Sequence, residues 1–224
     1  MPAQAIASDS YVLALSWQPA FCETAERRPE CREQSASRMD ARQFSLHGLW
    51  PQPSSRSHCG VPATTVSDDK AGRWHSLPID RLPQELWDRL RIAMPGTRSG
   101  LHRHEWIKHG TCMGVNARTY YARSLALVDA VNRSEVARLF ADNIGSALTA
   151  DAIRASFDNA FGPGAGRRVK ISCVEDGDRR LIVEITVGLG GELSETPDIA
   201  ALIAAAPPTE PGCPGGIVDA AGFQ

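Results

Sequence analysis

The sequence predicts an α+β fold, with a central and mainly antiparallel sheet, helices packed against it and disulfides stapling the whole. Three observations carry that expectation. Strand-like segments stand near both ends of the chain, at residues 11–17 and 45–50 and again at 168–187. Helical patterns are grouped between them instead of alternating with strands, as a wound parallel sheet would require. Six cysteines, Cys22, Cys31, Cys59, Cys112, Cys173 and Cys213, form an even set with no C-x-x-C pair, which points to disulfides over a metal cage or a thioredoxin-type redox site.

Each element has a local reason. Residues 11–17 are short and almost wholly apolar, a buried strand, and residues 45–50 make a second. Residues 53–69 are rich in Ser, Thr, Pro and Asp and read as a loop. Residues 83–92 open with Pro83 and set Leu86, Trp87 and Leu90 at amphipathic-helix spacing. Residues 117–131 and 135–142 continue the helical pattern behind Asn116 and Ser134 as N-caps, and Thr149 caps a further helix that Gly162-Pro163-Gly164 ends. Residues 168–173 and 181–187 are strand-like. The latter alternates Leu181, Val183 and Ile185 with Ile182, Glu184 and Thr186, and residues 175–178 turn the chain between the two. From Pro207 on, prolines and glycines make a loop pinned by Cys213.

The 224 residues are 42% hydrophobic and 22% charged. Those are the proportions of one globular domain over residues 1–224, with a flexible segment at 1–9, burying roughly 70% of its unfolded surface. Collagen-like, coiled-coil and wholly disordered classes are excluded. The longest apolar run, residues 199–206, is far short of the ~20 residues of a membrane-spanning helix, so no membrane partner is expected. Lys+Arg 24 against Asp+Glu 26 gives a net charge of −2, without the basic footprint of a duplex-binding protein. A polyanion would have to be gripped locally. Paired cysteines imply an oxidising compartment, so the chain is expected to be secreted or periplasmic. Residues 1–7 lack the basic flank and long apolar stretch of a secretory signal, which leaves two options: such a signal has been removed, or the chain stays inside with free thiols.

Two segments are dense in chemistry: Phe44-Ser45-Leu46-His47-Gly48-Leu49-Trp50-Pro51-Gln52 and His104-Glu105-Trp106-Ile107-Lys108-His109-Gly110-Thr111-Cys112. On a helix, residues turn by about 100° each, so His104, Glu105, Lys108 and His109 fall within an arc of about 140°, with Gly110 ending the helix. Zinc is disfavoured, because His104 and His109 are five apart where H-E-x-x-H sets its histidines four apart, and Lys108 would repel a cation. No cofactor or metal is expected. The remaining chemistry is acid–base catalysis at a phosphodiester: one neutral imidazole takes a proton, one imidazolium gives a proton, and cations hold the developing charge. Imidazoles of ordinary pKa, about 6.5, would charge the cleft as the pH falls through that value.

Together the two segments resemble the active-site signatures of the ribonuclease T2 family, and residues 11–22 resemble the family's first strand. The resemblance implies a metal-independent endoribonuclease of low base specificity, cutting single-stranded RNA to 2′,3′-cyclic phosphate ends. It implies His109 as the base for the ribose 2′-hydroxyl, His47 as the acid for the leaving 5′-oxygen, Glu105 and Lys108 as transition-state stabilisers, and His104 as a phosphate ligand. It also implies the pairs Cys59–Cys112, Cys173–Cys213 and Cys22–Cys31, the last in an N-terminal loop. DNA lacks the 2′-hydroxyl and should not be cut. A monomer is expected. Trp50 is balanced between core packing and stacking on a base, and Gln52, able to donate and accept, suggests weak, adenine-tolerant base selection. His58, His75 and His102 stand singly and read as surface or capping residues. The other class of function, an RNA-binding protein without turnover, has little use for two proton-transfer groups.

Overall fold

Leu13, Ala14 and Leu15 are consecutive and fully buried, which a strand allows only where both faces of its sheet are covered. In the computed structural model, which describes residues 9–223, that strand is β1 (Ser10–Ser16), antiparallel to β2 (Ser45–Pro51) on one side and β5 (Arg179–Gly190) on the other. The far edge of β5 pairs with antiparallel β4 (Val169–Asp176). Beyond the end of β1, β5 meets the short β6 (Gly215–Ile217) in parallel at Leu181, and β6 pairs with β3 (Ala147–Thr149).

Helices α1 (Gln18–Thr24) and α2 (Pro29–Arg32) lie between β1 and β2. After β2 come α3 (Ala63–Lys70), α4 (Gln84–Ala93), α5 (Leu101–Lys108), α6 (Ala117–Asn132) and α7 (Glu135–Asp142), and α8 (Ala150–Phe161) follows β3. Asn116, Ser134 and Thr149 cap α6, α7 and α8 through side-chain bonds to Thr119 N, Val136 N and Ala152 N. Trp17, Phe44 and Phe140 pack ring against ring at 4.7–5.6 Å in the core. Tyr120 of α6 pins β2, its hydroxyl donating to Leu49 O at 3.1 Å. All six cysteines are paired, as Cys22–Cys31, Cys59–Cys112 and Cys173–Cys213.

Irregularities in two ladders position the site. Leu15 faces Leu46 and Ala14 faces Gly48, so His47 is the extra residue of a β-bulge in β2. Ser172 faces Glu184 and Cys173 faces Ile182, so Val183 is the extra residue in β5. A bulge re-aims the side chain it carries.

Several sequence expectations need correction. Residues 53–69 are not all loop, since α3 fills their second half. It has little apolar content, and what holds it is tertiary: Asp69, near its end, is buried and bonded to two imidazoles. The Cys22–Cys31 segment holds α1 and α2, each opened by a proline in its first turn. The helix at residues 104–109 starts earlier, at the left-handed Gly100 (φ +84°), and ends at Lys108, leaving His109 outside it. Only Gly177 and Asp178 turn between β4 and β5. The apolar run at 199–206 forms α9 (Ile199–Ala205), capped by Asp198, and the tail contributes β6. The expected flexible segment 1–9 lies outside the described residues except for Asp9, whose carbonyl accepts from Gly191 N at 2.7 Å. Among the described residues no helix is long and apolar enough to cross a membrane.

Candidate active site

β2 and α5 face each other across Glu105, which is 1% exposed. Its Oε2 accepts from Trp50 Nε1 at 2.8 Å. Its Oε1 stands 3.8 Å from His47 Nε2 and 3.9 Å from His104 Nε2. Only glycine fits at position 48, because a Cβ there would lie 2.0 Å from Glu105 Oε2 and 2.5 Å from Trp50 Nε1. The Trp50 ring is flanked by two imidazoles, His47 edge-on at 5.2 Å and His109 at 5.5 Å. Trp50 is therefore neither plain core nor a free platform, since it anchors the buried carboxylate. Gln52 Nε2 donates to Trp50 O at 3.3 Å.

Each outer nitrogen is also held. A carboxylate can only accept, so His47 Nδ1 donates to Glu184 Oε2 at 2.6 Å and His104 Nδ1 donates to Asp69 Oδ1 at 2.6 Å. The other oxygen of Asp69 accepts from His58 Nε2 at 2.9 Å. Carboxylates and imidazoles thus alternate through Glu184, His47, Glu105, His104, Asp69 and His58. Trp74 stacks on His104 at 4.6 Å, donates from Nε1 to Asp69 O at 3.2 Å, and carries the Arg28 guanidinium 5.3 Å from its ring. His58 N closes the end of α5 by donating to Lys108 O at 2.9 Å. His109 is buried just past that end, with no hydrogen-bond partner for Nδ1 among the described residues.

The electrostatics divide the two imidazoles beside Trp50. Burial disfavours charge on His47, but the bond to Glu184 and the charges of Glu105 and Glu184 outweigh it and Lys108, so its pKa is raised. Burial, reinforced by Lys108 and the neighbouring histidines, lowers His109 to about 3. Burial also pushes Glu105 up, against the pull of His47, His104, Trp50 and Lys108. The expectation that the cleft gains charge as the pH falls through about 6.5 is corrected for these two imidazoles: His47 takes its proton above that value and His109 far below it. The pair presents an acid and a base in one pH range. On the Glu184 side of His47 a cavity of about 240 Å³ opens, walled by Phe21, Leu46 and Trp74 and bordered by Arg28. Among the described residues no group of three or more His, Cys, Asp or Glu side chains is set to hold a metal ion.

The sequence model of the Ribonuclease T2 family matches residues 8–199. The chain belongs to the ribonuclease T2 family. It is 31% identical to Ribonuclease I of Escherichia coli over 210 residues, which cover 84% of this chain and 78% of that one. It is also 31% identical to a ribonuclease of Aeromonas hydrophila over 113 residues, 50% of this chain and 41% of that one. Among solved structures, Japanese pear S3-RNase superposes with a TM-score of 0.63 at 18% identity, covering 93% of this chain and 98% of that one. An RNase MC1 variant in complex with 5′-UMP gives 0.61 at 19%, covering 95% and 100%. At such identities these structures speak for the fold. The family makes the chain an RNA endonuclease.

The structure gathers His47, His104, Lys108 and His109 about the Glu105 carboxylate and its Trp50 partner, and ties Gln52 to the Trp50 backbone. Sequence reasoning missed Glu184, Asp69, Trp74 and His58. The signal for Glu184 was its place on the polar side of an alternating strand, which becomes useful once β5 is known to lie one strand away from β2. Asp69 and Trp74 sit in and after a stretch that reads as loop. His58 is not a surface residue, because its side chain is 13% exposed and bonded to Asp69, but it does cap, through the amide that closes α5. His102 is corrected too: it is buried beside Trp87 at 5.0 Å, and burial lowers it to about 4. His75 is exposed.

Proposed function

We propose that the enzyme cuts single-stranded RNA by internal transesterification, with His109 and His47 as its proton-transfer pair. His109 takes the proton of the ribose 2′-hydroxyl as that oxygen bonds to phosphorus. His47 gives the proton on Nε2 to the 5′-oxygen as the P–O5′ bond breaks, leaving a 2′,3′-cyclic phosphate that water can later open to a 3′-phosphate. Lys108 and the Glu105 hub stabilise the charged transition state, and His104, stacked under Trp74, binds a phosphate oxygen. The reacting hydroxyl belongs to the substrate and is already beside its phosphate, so the protein supplies only protons, charge and alignment.

The observation that carries this is the pair of imidazoles flanking Trp50, one raised and one lowered in pKa. The base is ready above pH about 3, and the acid keeps its proton to above its ordinary value, about 6.5, so activity should span a broad acidic to neutral plateau. Polyuridylic acid incubated in EDTA across pH 4 to 8 should yield cyclic phosphate ends, and His47→Ala and His109→Ala should each abolish them. Dependence on a metal, or turnover surviving both substitutions, would overturn the reading.

Substrate range follows the same chemistry. DNA has no 2′-hydroxyl and is left uncut, and Gln52, fixed beside Trp50, gives weak, adenine-tolerant base selection. Three disulfides support a secreted or periplasmic setting. We take the working unit to be a monomer of one domain, acting on RNA without a membrane.

A further inference from the structure

We propose that Glu184 is a positioning residue for the acid step: bonded to His47 Nδ1, it fixes the tautomer and aim of the ring so that the proton on Nε2 is delivered to the leaving oxygen. This rests on reading His47 as the acid. The geometry comes from the sheet. β1 alone separates β2 from β5, Ser16 pairs with Glu184 on one side and Ser45 on the other, and the His47 bulge turns the imidazole back across β1 toward the carboxylate. The result is the 2.6 Å bond from Nδ1 to Oε2. Without it the imidazole could rotate or carry its neutral-state proton on the other nitrogen, and Nε2 would lose its direction.

Glu184 and Glu105 act differently. Glu105 faces the nitrogen whose proton is transferred, at 3.8 Å. Glu184 holds the opposite nitrogen and stays away from the reacting atoms, which is the division of labour of an orienting carboxylate behind a catalytic histidine. The charged and titratable groups around His47 are Glu184 from β5, Glu105 and Lys108 from α5, and His109 just past α5. Arg28 and Glu30, from the α2 region, line the same cavity. Of these, Glu184 alone is hydrogen-bonded to the ring among the described residues.

The test uses Glu184→Gln, which keeps the size of the side chain and removes its charge. The alkaline limb of kcat/KM for a dinucleoside phosphate reports loss of the acid's proton. It should move down by about one pH unit, while the acidic limb, set by His109, stays. A second readout is uridine 3′-(4-nitrophenyl phosphate), whose phenolate leaves without protonation. Turnover of the dinucleotide should fall about tenfold, and turnover of the aryl ester should be nearly unchanged. An unmoved alkaline limb, or equal losses on both substrates, overturns the proposal. His47→Ala separates the two layers: sparing of the aryl ester supports the acid reading on which the proposal rests, and equal loss on both substrates removes that reading itself.

Discussion

Trp50 touches three titratable side chains of the candidate site, His47, Glu105 and His109. Its indole nitrogen is the hydrogen-bond donor to a carboxylate that burial already pushes toward protonation. Removing a donor from a buried acceptor leaves the full desolvation cost, about 1–3 kcal/mol. Trp50→Phe keeps a ring that can stack on a base and removes the donor, so it separates two roles. With Glu105 as the beneficiary, kcat should drop about tenfold while KM changes little. Steady-state kinetics on polyuridylic acid decide it, and a raised KM at unchanged kcat would show that base stacking is the main role. The tight approach of Gly48 to the same carboxylate explains why the His-Gly-Leu-Trp run has no side chain at its second position.

At the scale of elements, the link between α3 and α5 is the vulnerable one. Cys59–Cys112 closes a separation of 53 residues, worth about 4 kcal/mol by chain entropy. It anchors His58, whose amide closes α5 and whose ring bonds Asp69. Cys112→Ser should lower the unfolding midpoint by about 10 °C and also lower turnover below that midpoint. Unchanged activity in the folded range would mean that the bridge stabilises without aligning. The same region marks the limit of what could be read in the chain. Helices α6, α7 and α8 were legible because apolar spacing and caps agree, α4 because of its apolar spacing behind Pro83, and His47, Glu105 and His109 because they cluster within two short runs. Asp69 and Trp74 were not, because α3 lacks an apolar stripe and is held by the bonds of Asp69 to His58 and His104, 11 and 35 positions away. Glu184 could not be paired with His47 without the sheet register, 137 positions apart in the chain.

Over the whole molecule, buried titratable groups pull stability in opposite directions. Asp219 is 1% exposed, and burial, with the charge of Glu23, raises it to about 6 against the pull of Arg179. Between its unfolded value, about 3.9, and 6, the folded chain holds a proton that the unfolded chain has released, so stability falls as pH rises. His102 and His109, lowered by burial to about 4 and 3, do the reverse: up to about pH 6.5 the unfolded chain binds protons that the folded chain refuses, and stability rises with pH. Asp219→Asn removes the falling contribution. Its melting midpoint should climb more steeply from pH 4 to 6.5 than that of the parent, as calorimetry can show, and parallel curves would exclude the assignment. Asp219 also fastens the C-terminal tail, since its carbonyl accepts from Trp17 Nε1 at 2.8 Å.

The recess beside His47, about 240 Å³, has a consequence for what the enzyme senses in its substrate. A base stacked and paired in an A-form helix can enter such a space only by leaving its neighbours, at a cost of a few kcal/mol. Cleavage along a folded transcript would then follow how long each nucleotide stays unstacked, making hairpin stems a thermodynamic shield and loops the points of attack.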